Sequence, residues 1–388
     1  MNDPLLPGST IGVMGSGQLG RMLAIAARRM GYRIATFSPD RGTPMGPLVD
    51  REVTAPYDDE AAVSAFAREI DVLTFEFENI PVESVAWAAR YCPVRPSGKI
   101  LSICQHRLRE KEFLAGAGIA LPAFRKITGV EELKAAAGEI GLPAVLKSAA
   151  FGYDGKGQRT LRPGDDLSAA WQKYEGSTAV LEAFVPFEKE VSVIVARGLH
   201  GEVATYPVFE NLHTDHILDV TLLPARIAPE SAERARKVAV AVAEALDLVG
   251  LLAVEMFLLP NGGILVNELA PRPHNSGHAT FDASVTTQFE QQLRAVCGLP
   301  LGSTETLRPA AMANLLGDLW AGGEPDWAAV LAMPEVKLHL YGKTAARRGR
   351  KMGHLVAFGN DVDAAAATVR KARKRLRFTK KDILHQEE

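Results

Sequence analysis

Cysteine is scarce in this 388-residue chain: Cys92, Cys104 and Cys297 are unevenly placed and not at metal-ligand spacing. That excludes a disulfide framework and a structural zinc site, and it fits a reducing, cytoplasmic setting. Net charge is nearly absent, at −2, so no basic footprint for nucleic acid exists and ligands must be recognised by local sites. No long apolar run is intact. The most apolar stretch, Val238 to Leu259, is interrupted by Glu244, Asp247 and Glu255, which argues against a membrane span. Met1 to Thr10 lacks a basic region followed by an apolar run, so no secretory signal is expected. A soluble chain of this length can form two or three domains with substantial cores.

Up to about Ser97, short apolar strands alternate with helical stretches: strand Thr10 to Met14, helix Gln18 to Met30, strand Arg33 to Phe37, helix Glu60 to Arg68, strand Val72 to Phe75. Such alternation predicts a doubly wound parallel sheet. Gly15-Ser16-Gly17-Gln18-Leu19-Gly20 lies between the first strand and helix, with Asp40 at the distance of a ribose-binding acid. A nicotinamide or flavin site is one reading. A phosphate held by free N–H groups at a helix N-terminus is another, and Arg21 would add charge for a phosphomonoester. Glu76-Phe77-Glu78-Asn79 follows the strand Val72 to Phe75, where such sheets place ligands, although an ordinary exposed loop reads the same way.

Two acidic residues dominate the second half. Leu251 to Leu259 reads as a strand, Pro260 to Gly263 as a turn, and Ile264 to Leu269 as the returning strand. A symmetric turn pairs Leu259 with Ile264, Phe257 with Val266 and Glu255 with Glu268. Opposed like charges are destabilising. With Ala253, Phe257, Ile264 and Val266 on the same face, a solvated acidic face is disfavoured and a divalent cation is the natural partner. One or two carboxylates plus substrate phosphates suit Mg²⁺.

Upstream, Gly141 to Lys147 is a turn and strand that deliver a lysine, followed by Phe151-Gly152-Tyr153-Asp154-Gly155-Lys156-Gly157-Gln158. The latter reads as a plain hairpin turn or as a loop laid over phosphates; it is not a Walker A loop. Val180 to Val185 leads into a bend, and Val191 to Ala196 follows as a strand; backbone groups there are able to meet an adenine edge. Helix Ala232 to Leu246 is a packing element, with Ala235, Val238, Val242 and Leu246 at helical spacing. After Glu268 come Pro271-Arg272-Pro273-His274-Asn275-Ser276-Gly277-His278. Arg272 suits a bicarbonate or phosphate oxygen, and His274 suits binding or proton relay. Leu340 to Lys343 and Arg347 to His354 are basic segments, for which a solvated face is the plainer reading.

In this order, the motifs GSGQLGRM (Gly15 to Met22), TFEFENIP (Thr74 to Pro81), FGYDGKGQ (Phe151 to Gln158), NELAPRPHNSGH (Asn267 to His278) and GRKMGHL (Gly349 to Leu355) make the chain resemble the ATP-grasp enzymes. More narrowly, it resembles the 5-(carboxyamino)imidazole ribonucleotide synthase family of purine biosynthesis. Ser16 stands where a glycine is common, and the basic tail offers no motif.

The resemblance implies an α/β and α+β fold: a pre-ATP-grasp domain over 1–99, an ATP-grasp domain over 100–300 with a lid near 121–185, and a small β-rich C-terminal domain over 301–388. It implies carboxylation of 5-aminoimidazole ribonucleotide by bicarbonate and ATP, with a formate-using glycinamide ribonucleotide transformylase as the alternative. ATP contacts would fall on Arg107, Lys147, Gly152, Tyr153, Asp154, Gly155, Lys156, Gly157, Gln158, Glu182, Ala183, Phe184, Val185, Glu190, His213, Asn267 and Glu268. Glu255 and Glu268 would hold Mg²⁺ or Mn²⁺. The ribonucleotide side would use Gly15, Gly17, Gln18, Leu19, Glu76, Tyr153, Asp154, Arg272, His274, Asn275, Ser276, Lys343 and Arg350, with Lys156, Arg272, His274, Lys343 and Arg350 catalytic. A homodimer with small-molecule substrates, without nucleic acid or membrane, is implied. Strict alternation turns Asn267 away from Glu268, and a bend near Pro271 is expected to reconcile them.

Overall fold

The computed structural model describes residues 3–150, 157–174 and 177–376. Its N-terminal sheet is parallel, in the spatial order Arg51–Thr54, Arg33–Ser38, Thr10–Met14, Val72–Phe75. Thr10–Met14 and Val72–Phe75 are almost wholly buried and read as short apolar runs, as parallel strands covered on both faces do. Arg51–Thr54 escapes the sequence pattern because it is a largely exposed edge strand of only four residues. The chain order reverses at Thr10–Met14, so the loops after it and after Val72–Phe75 leave side by side at a switch point.

A second sheet of four antiparallel strands runs Phe124–Ile127, Ala179–Ala183, Ala144–Ser148, Gln158–Leu161. Helix Val130–Ile140 and Trp171 and Tyr174 close its apolar face over Leu146 and Leu181. The third and largest sheet has nine strands and runs from Ile264–Ala270 at one edge through Gly250–Leu258, Lys189–Arg197, Phe209–Thr214 and Ile217–Leu223. It continues without a break into Ala310–Leu316, Lys351–Phe358 and Val336–Leu340, so the C-terminal strands extend the central sheet. Helix Pro229–Ala245 starts with proline in its first turn, where the missing N–H costs nothing, and buries Ala235, Ala239, Val242 and Ala243 on that sheet. Helix Val362–Arg375 covers the far end; its Asp361 accepts from the Ala364 N–H at 2.7 Å and basic residues fill its last turn.

Candidate active site

The hairpin Gly250–Leu258 and Ile264–Ala270 brings Glu255 opposite Glu268, by a different route from a symmetric four-residue turn. Leu258 pairs with Ile264, Phe257 with Leu265 and Met256 with Val266; the register then shifts, and Glu255 meets Glu268. Asn267 is the extra residue. This β-bulge places two residues of one strand against one of the other, so Asn267 and Glu268 both line the same cleft as Glu255. No bend at Pro271 is needed. Ile264 and Val266 face the opposite way, into the core with Met256 and Leu258, so they are not companions of Glu255.

Ile264–Ala270 is the edge strand, and its outer backbone groups need partners from elsewhere. The Val266 N–H donates to the Ala120 carbonyl at 2.9 Å, and the Leu269 N–H to Glu110 Oε2 at 2.9 Å. Lys111 Nζ reaches the Asn267 carbonyl at 3.5 Å. Glu110 and Lys111 sit on the buried face of helix Arg107–Gly116. Burial pushes the Glu110 carboxyl up to about 8, and the charge of Glu268 adds to that. Neither residue carries a local sequence signal for this role, because the strand it secures lies more than 150 positions away.

The two metal-candidate carboxylates differ in electrostatics. Burial alone would raise Glu255, but His274 Nε2 lies 2.9 Å from its Oε1 and, with His213 and Lys351, holds it low, at about 2. Glu268 is pushed up, by its enclosure and by the charge of Glu255. Its side chain opens into the cleft, so Glu255 is the more telling of the two causes. Among the described residues, Asn267 Oδ1 is buried without a hydrogen-bond partner. Two carboxylates and an unengaged amide oxygen are a hard-oxygen set, the chemistry Mg²⁺ prefers.

A buried chain of hydrogen bonds fixes His274. Thr221 Oγ1 donates to Asn211 Oδ1, Asn211 Nδ2 to Ser192 Oγ, and Ser192 Oγ to Ser276 Oγ, which lies 2.9 Å from His274 Nδ1. The Ser276 N–H also points at that nitrogen, so Nδ1 accepts and Nε2–H faces Glu255. Ser276 is fully buried and does not line the cleft; expected to touch substrate, it instead orients His274.

At the nucleotide-candidate end, Lys147 Nζ lies 3.0 Å and Lys111 Nζ 3.2 Å from Glu182 Oε2. Glu182 is buried behind the cleft, where the two ammonium groups outweigh burial and hold its carboxyl low. Its side chain positions Lys147. Arg107, Lys147, Gln158, Phe184, Glu190 and His213 line the cleft, whereas Ala183 and Val185 line an adjacent apolar recess and Gly157 lies outside both. His213 Nδ1 is 2.7 Å from Glu190 Oε2, and that pairing raises the imidazole against the downward push of burial. Phe187 and Phe257 stack at 4.8 Å. Gly152, Tyr153, Asp154, Gly155 and Lys156 fall outside the described residues.

The glycine turn has an unforeseen occupant. Glu76 accepts from the Gly17 N–H with one carboxylate oxygen and from the Gly20 N–H, at 2.6 Å, with the other. A Cβ on Gly15 would lie 2.5 Å from Glu76 Cγ, and Gly15 also has φ +99°, so glycine is required there. The turn is therefore a cradle for an internal carboxylate at a helix N-terminus. Gly17, Gln18, Leu19 and Glu76 line the cleft; Gly15 does not. Arg21 does not line it either, because its Nη1 donates to the Pro44 carbonyl at 3.0 Å.

Arg272 Nε binds Glu78 Oε2 at 2.5 Å, and the guanidinium holds that carboxyl low against burial. Asn275 shares two hydrogen bonds with buried Asn314. Lys343, Arg350 and Lys351 also line the cleft, Lys343 donating to the Lys351 carbonyl at 2.7 Å, so the basic C-terminal segments are more than a solvated face. Gln105, which pins the Glu78 and Ile80 carbonyls, and Gln288, which grips the His274 backbone, have no sequence signal. One cavity of about 1440 Å³ joins the cleft-lining groups, more than the 300–1,000 Å³ or so typical of a single small-molecule site.

Three domain families match the chain: a ribonucleotide synthetase preATP-grasp domain over residues 8–105, an ATP-grasp domain over 112–289, and a phosphoribosylaminoimidazole carboxylase C-terminal domain over 310–368. The N5-carboxyaminoimidazole ribonucleotide synthase of Bacillus subtilis is 44% identical over 90% of this chain and 92% of its own length. That of Brucella melitensis is 45% identical over 90% and 96%. Among solved structures, an ADP complex of an N5-carboxyaminoimidazole ribonucleotide synthetase superposes with a TM-score of 0.91 at 42% identity, covering 96% of this chain and 98% of the other. The Aspergillus clavatus enzyme bound to ADP and 5-aminoimidazole ribonucleotide gives 0.88 at 30% identity, covering 96% and 99%.

Proposed function

The chain belongs to the N5-carboxyaminoimidazole ribonucleotide synthase family of ATP-grasp enzymes, and from that membership we propose how its cleft performs the reaction. The chain is an ATP-dependent carbon–nitrogen ligase of purine biosynthesis that carboxylates 5-aminoimidazole ribonucleotide. The formate-using alternative is disfavoured by relatives of this identity over nearly the whole chain. A dinucleotide reading of the glycine turn is disfavoured too, because Glu76 already takes the Gly17 and Gly20 N–H groups.

Bicarbonate is a poor electrophile. In the proposed sequence its oxygen attacks the γ-phosphorus of ATP, the bond to the β-phosphate oxygen breaks, and ADP and carboxyphosphate result. The substrate amine nitrogen then bonds to the carboxyl carbon, directly or through released CO₂, while phosphate departs and the amine loses a proton. Such transfers chiefly need positioning and charge neutralisation. Lys147, held by Glu182, and Arg107 supply positive charge to the ATP phosphates, with Gln158, Phe184, Glu190 and His213 around the nucleoside. The Gly152 to Lys156 loop is assigned to the same phosphates on the resemblance alone. Glu255, Glu268 and Asn267 would hold Mg²⁺, which supplies Lewis-acid polarisation of the transferred phosphoryl group. The ribonucleotide is assigned to Glu76, Asn275, Lys343, Arg350 and the Gln18 and Leu19 N–H groups, and bicarbonate to Arg272 and His274.

The observation that carries this arrangement is the strand Ile264–Ala270, which places Asn267 and Glu268 in the cleft and leads directly to Arg272 and His274. ADP release should require both bicarbonate and 5-aminoimidazole ribonucleotide; equal stimulation by formate with glycinamide ribonucleotide would sink the reading. A homodimer is proposed on the resemblance, and light scattering of the purified chain decides it. No helix among the described residues is long and apolar enough to cross a membrane, and a cytoplasmic site of action is proposed.

A further inference from the structure

Behind the carboxyl-transfer end lies a histidine that none of the steps above employs. His278 is 1% exposed, lines the cleft, and packs its ring against His354 at 4.8 Å and Phe289 at 5.8 Å. Its protonation pattern follows from the backbone. The His274 N–H donates to Gln288 Oε1 at 2.8 Å, and the His274 carbonyl accepts from Gln288 Nε2 at 2.8 Å. A backbone N–H can only donate and a carbonyl can only accept, so the Gln288 amide has one possible orientation. Its nitrogen also lies 3.3 Å from His278 Nδ1, and being a donor it requires a lone pair there. His278 is therefore neutral, with its one ring hydrogen on Nε2.

That N–H has no acceptor among the described residues. Among the described residues, the buried side-chain atoms lacking a partner include His354 Nε2 but not His278 Nε2. Among the described residues His278 Nε2 has no hydrogen-bond partner and is not sealed off, so what it meets is the cleft that His278 lines. Burial, together with the nearby charges of Lys351 and Arg272, holds the imidazole far below its ordinary range, in agreement with the hydrogen-bond pattern. A neutral imidazole locked as a donor is suited to an oxygen on which negative charge gathers, and it gives up no proton in the process.

We infer that His278 donates its Nε2–H to an oxygen of the bicarbonate-derived carboxyl group, with Gln288 as the residue that fixes its tautomer. The oxyanion identity follows from the neighbourhood: the His278 N–H donates to the Asn275 carbonyl, and the imidazole lies within reach of the charge of Arg272, to which bicarbonate is assigned above. The inference rests on the carboxylation reading above and adds a residue to it.

The full-length chain tests both separately. Dependence of wild-type ADP release on bicarbonate tests the carboxylation reading alone. His278→Phe keeps the ring packing and removes the donor, whereas His278→Gln returns an amide N–H near the Nε2 position. The Phe variant should lose about a hundredfold in kcat/KM for bicarbonate, the Gln variant should recover much of it, and the KM for Mg-ATP should stay within about twofold in both. Wild-type kcat/KM in the Phe variant, or equal loss in both, overturns the inference while bicarbonate dependence of the wild type stands. A second measurement does not need the variants to fold. Imidazole ¹⁵N resonances of wild-type His278 should report Nε2–H and bare Nδ1 from about pH 6 to pH 8, with Nε2 moving when bicarbonate is added to the Mg-ADP and ribonucleotide complex. An Nδ1–H tautomer, an imidazolium, or an unmoved Nε2 overturns it.

Discussion

Glu255 stands opposite Glu268 because the strand carrying Glu268 takes in one extra residue, Asn267, before reaching it. In an unbulged ladder Met256 would still meet Val266, Glu255 would meet Asn267, and Glu268 would turn into the apolar core with Val254. The bulge avoids burying a carboxylate without a partner, which is costly. It also sets an amide oxygen beside two carboxylates, and Glu110 and Lys111 secure the displaced backbone from outside the sheet.

Deleting Asn267 should therefore leave a regular hairpin in which Glu268 still opposes Glu255 and the chain still folds. The amide oxygen is lost, together with the main-chain carbonyl that Lys111 Nζ reaches. Affinity for Mg-ATP, measured by titration calorimetry, should fall by about tenfold, the scale of one hydrogen-bond-like interaction with a charged group. Wild-type affinity would show that Asn267 takes no part in holding the cation or the nucleotide.

Glu268→Gln separates binding from chemistry. The cation's charge matters most as the phosphoryl group transfers, so kcat should fall by about a hundredfold or more while nucleotide affinity falls far less. The ligand-free variant should melt above the wild type, because one of two opposed like charges is gone. Unchanged turnover at saturating substrates would remove Glu268 from the metal seat.

The strands Thr10–Met14 and Val72–Phe75 were legible to the residue, because buried parallel strands are short unbroken apolar runs between glycine and acidic loops. The pairing of the two glutamates was legible as well, but its cause was not. The turn is one residue tighter than its Pro-Asn-Gly-Gly sequence suggests, and the bulge that compensates depends on Glu110 and Lys111 in a distant helix. The glycine turn shows the same limit. Its spacing announces an anion at a helix N-terminus, and only the fold reveals that the anion is Glu76, 59 positions from Gly17. Gln288, Ser192 and Asn211 act on His274 from inside the core, where an amide or hydroxyl in the sequence looks like any other polar residue on a strand or helix.

Glu182 holds two ammonium groups, one of them on a lysine that is 1% exposed. Removing a partner from a buried ion pair leaves charge without compensation. Glu182→Ala should cost about 3–5 kcal/mol of stability, read from denaturant unfolding, and should weaken ATP binding by releasing Lys147. Glu182→Ala combined with Lys111→Met should recover stability without recovering ATP affinity. If the single variant unfolds at the wild-type midpoint, Glu182 is not what holds the lysines.

Glu110 makes the ligand-free protein sensitive to pH in a direction fixed by its environment. Burial, reinforced by Glu268, raises its carboxyl from an ordinary 4.5 to about 8 in the folded chain. Between those values the folded state binds more protons than the unfolded state, so stability declines as pH rises. Glu110→Gln keeps an oxygen for the Leu269 N–H and removes the titration. Unfolding free energies measured in EDTA should converge for the two proteins near about pH 4, with the Gln variant gaining steadily on the wild type up to about pH 8 and levelling off above it. A constant difference across that range would mean that Glu110 titrates at its ordinary value, and the bulge would then rest on an ionised carboxylate that Lys111 neutralises.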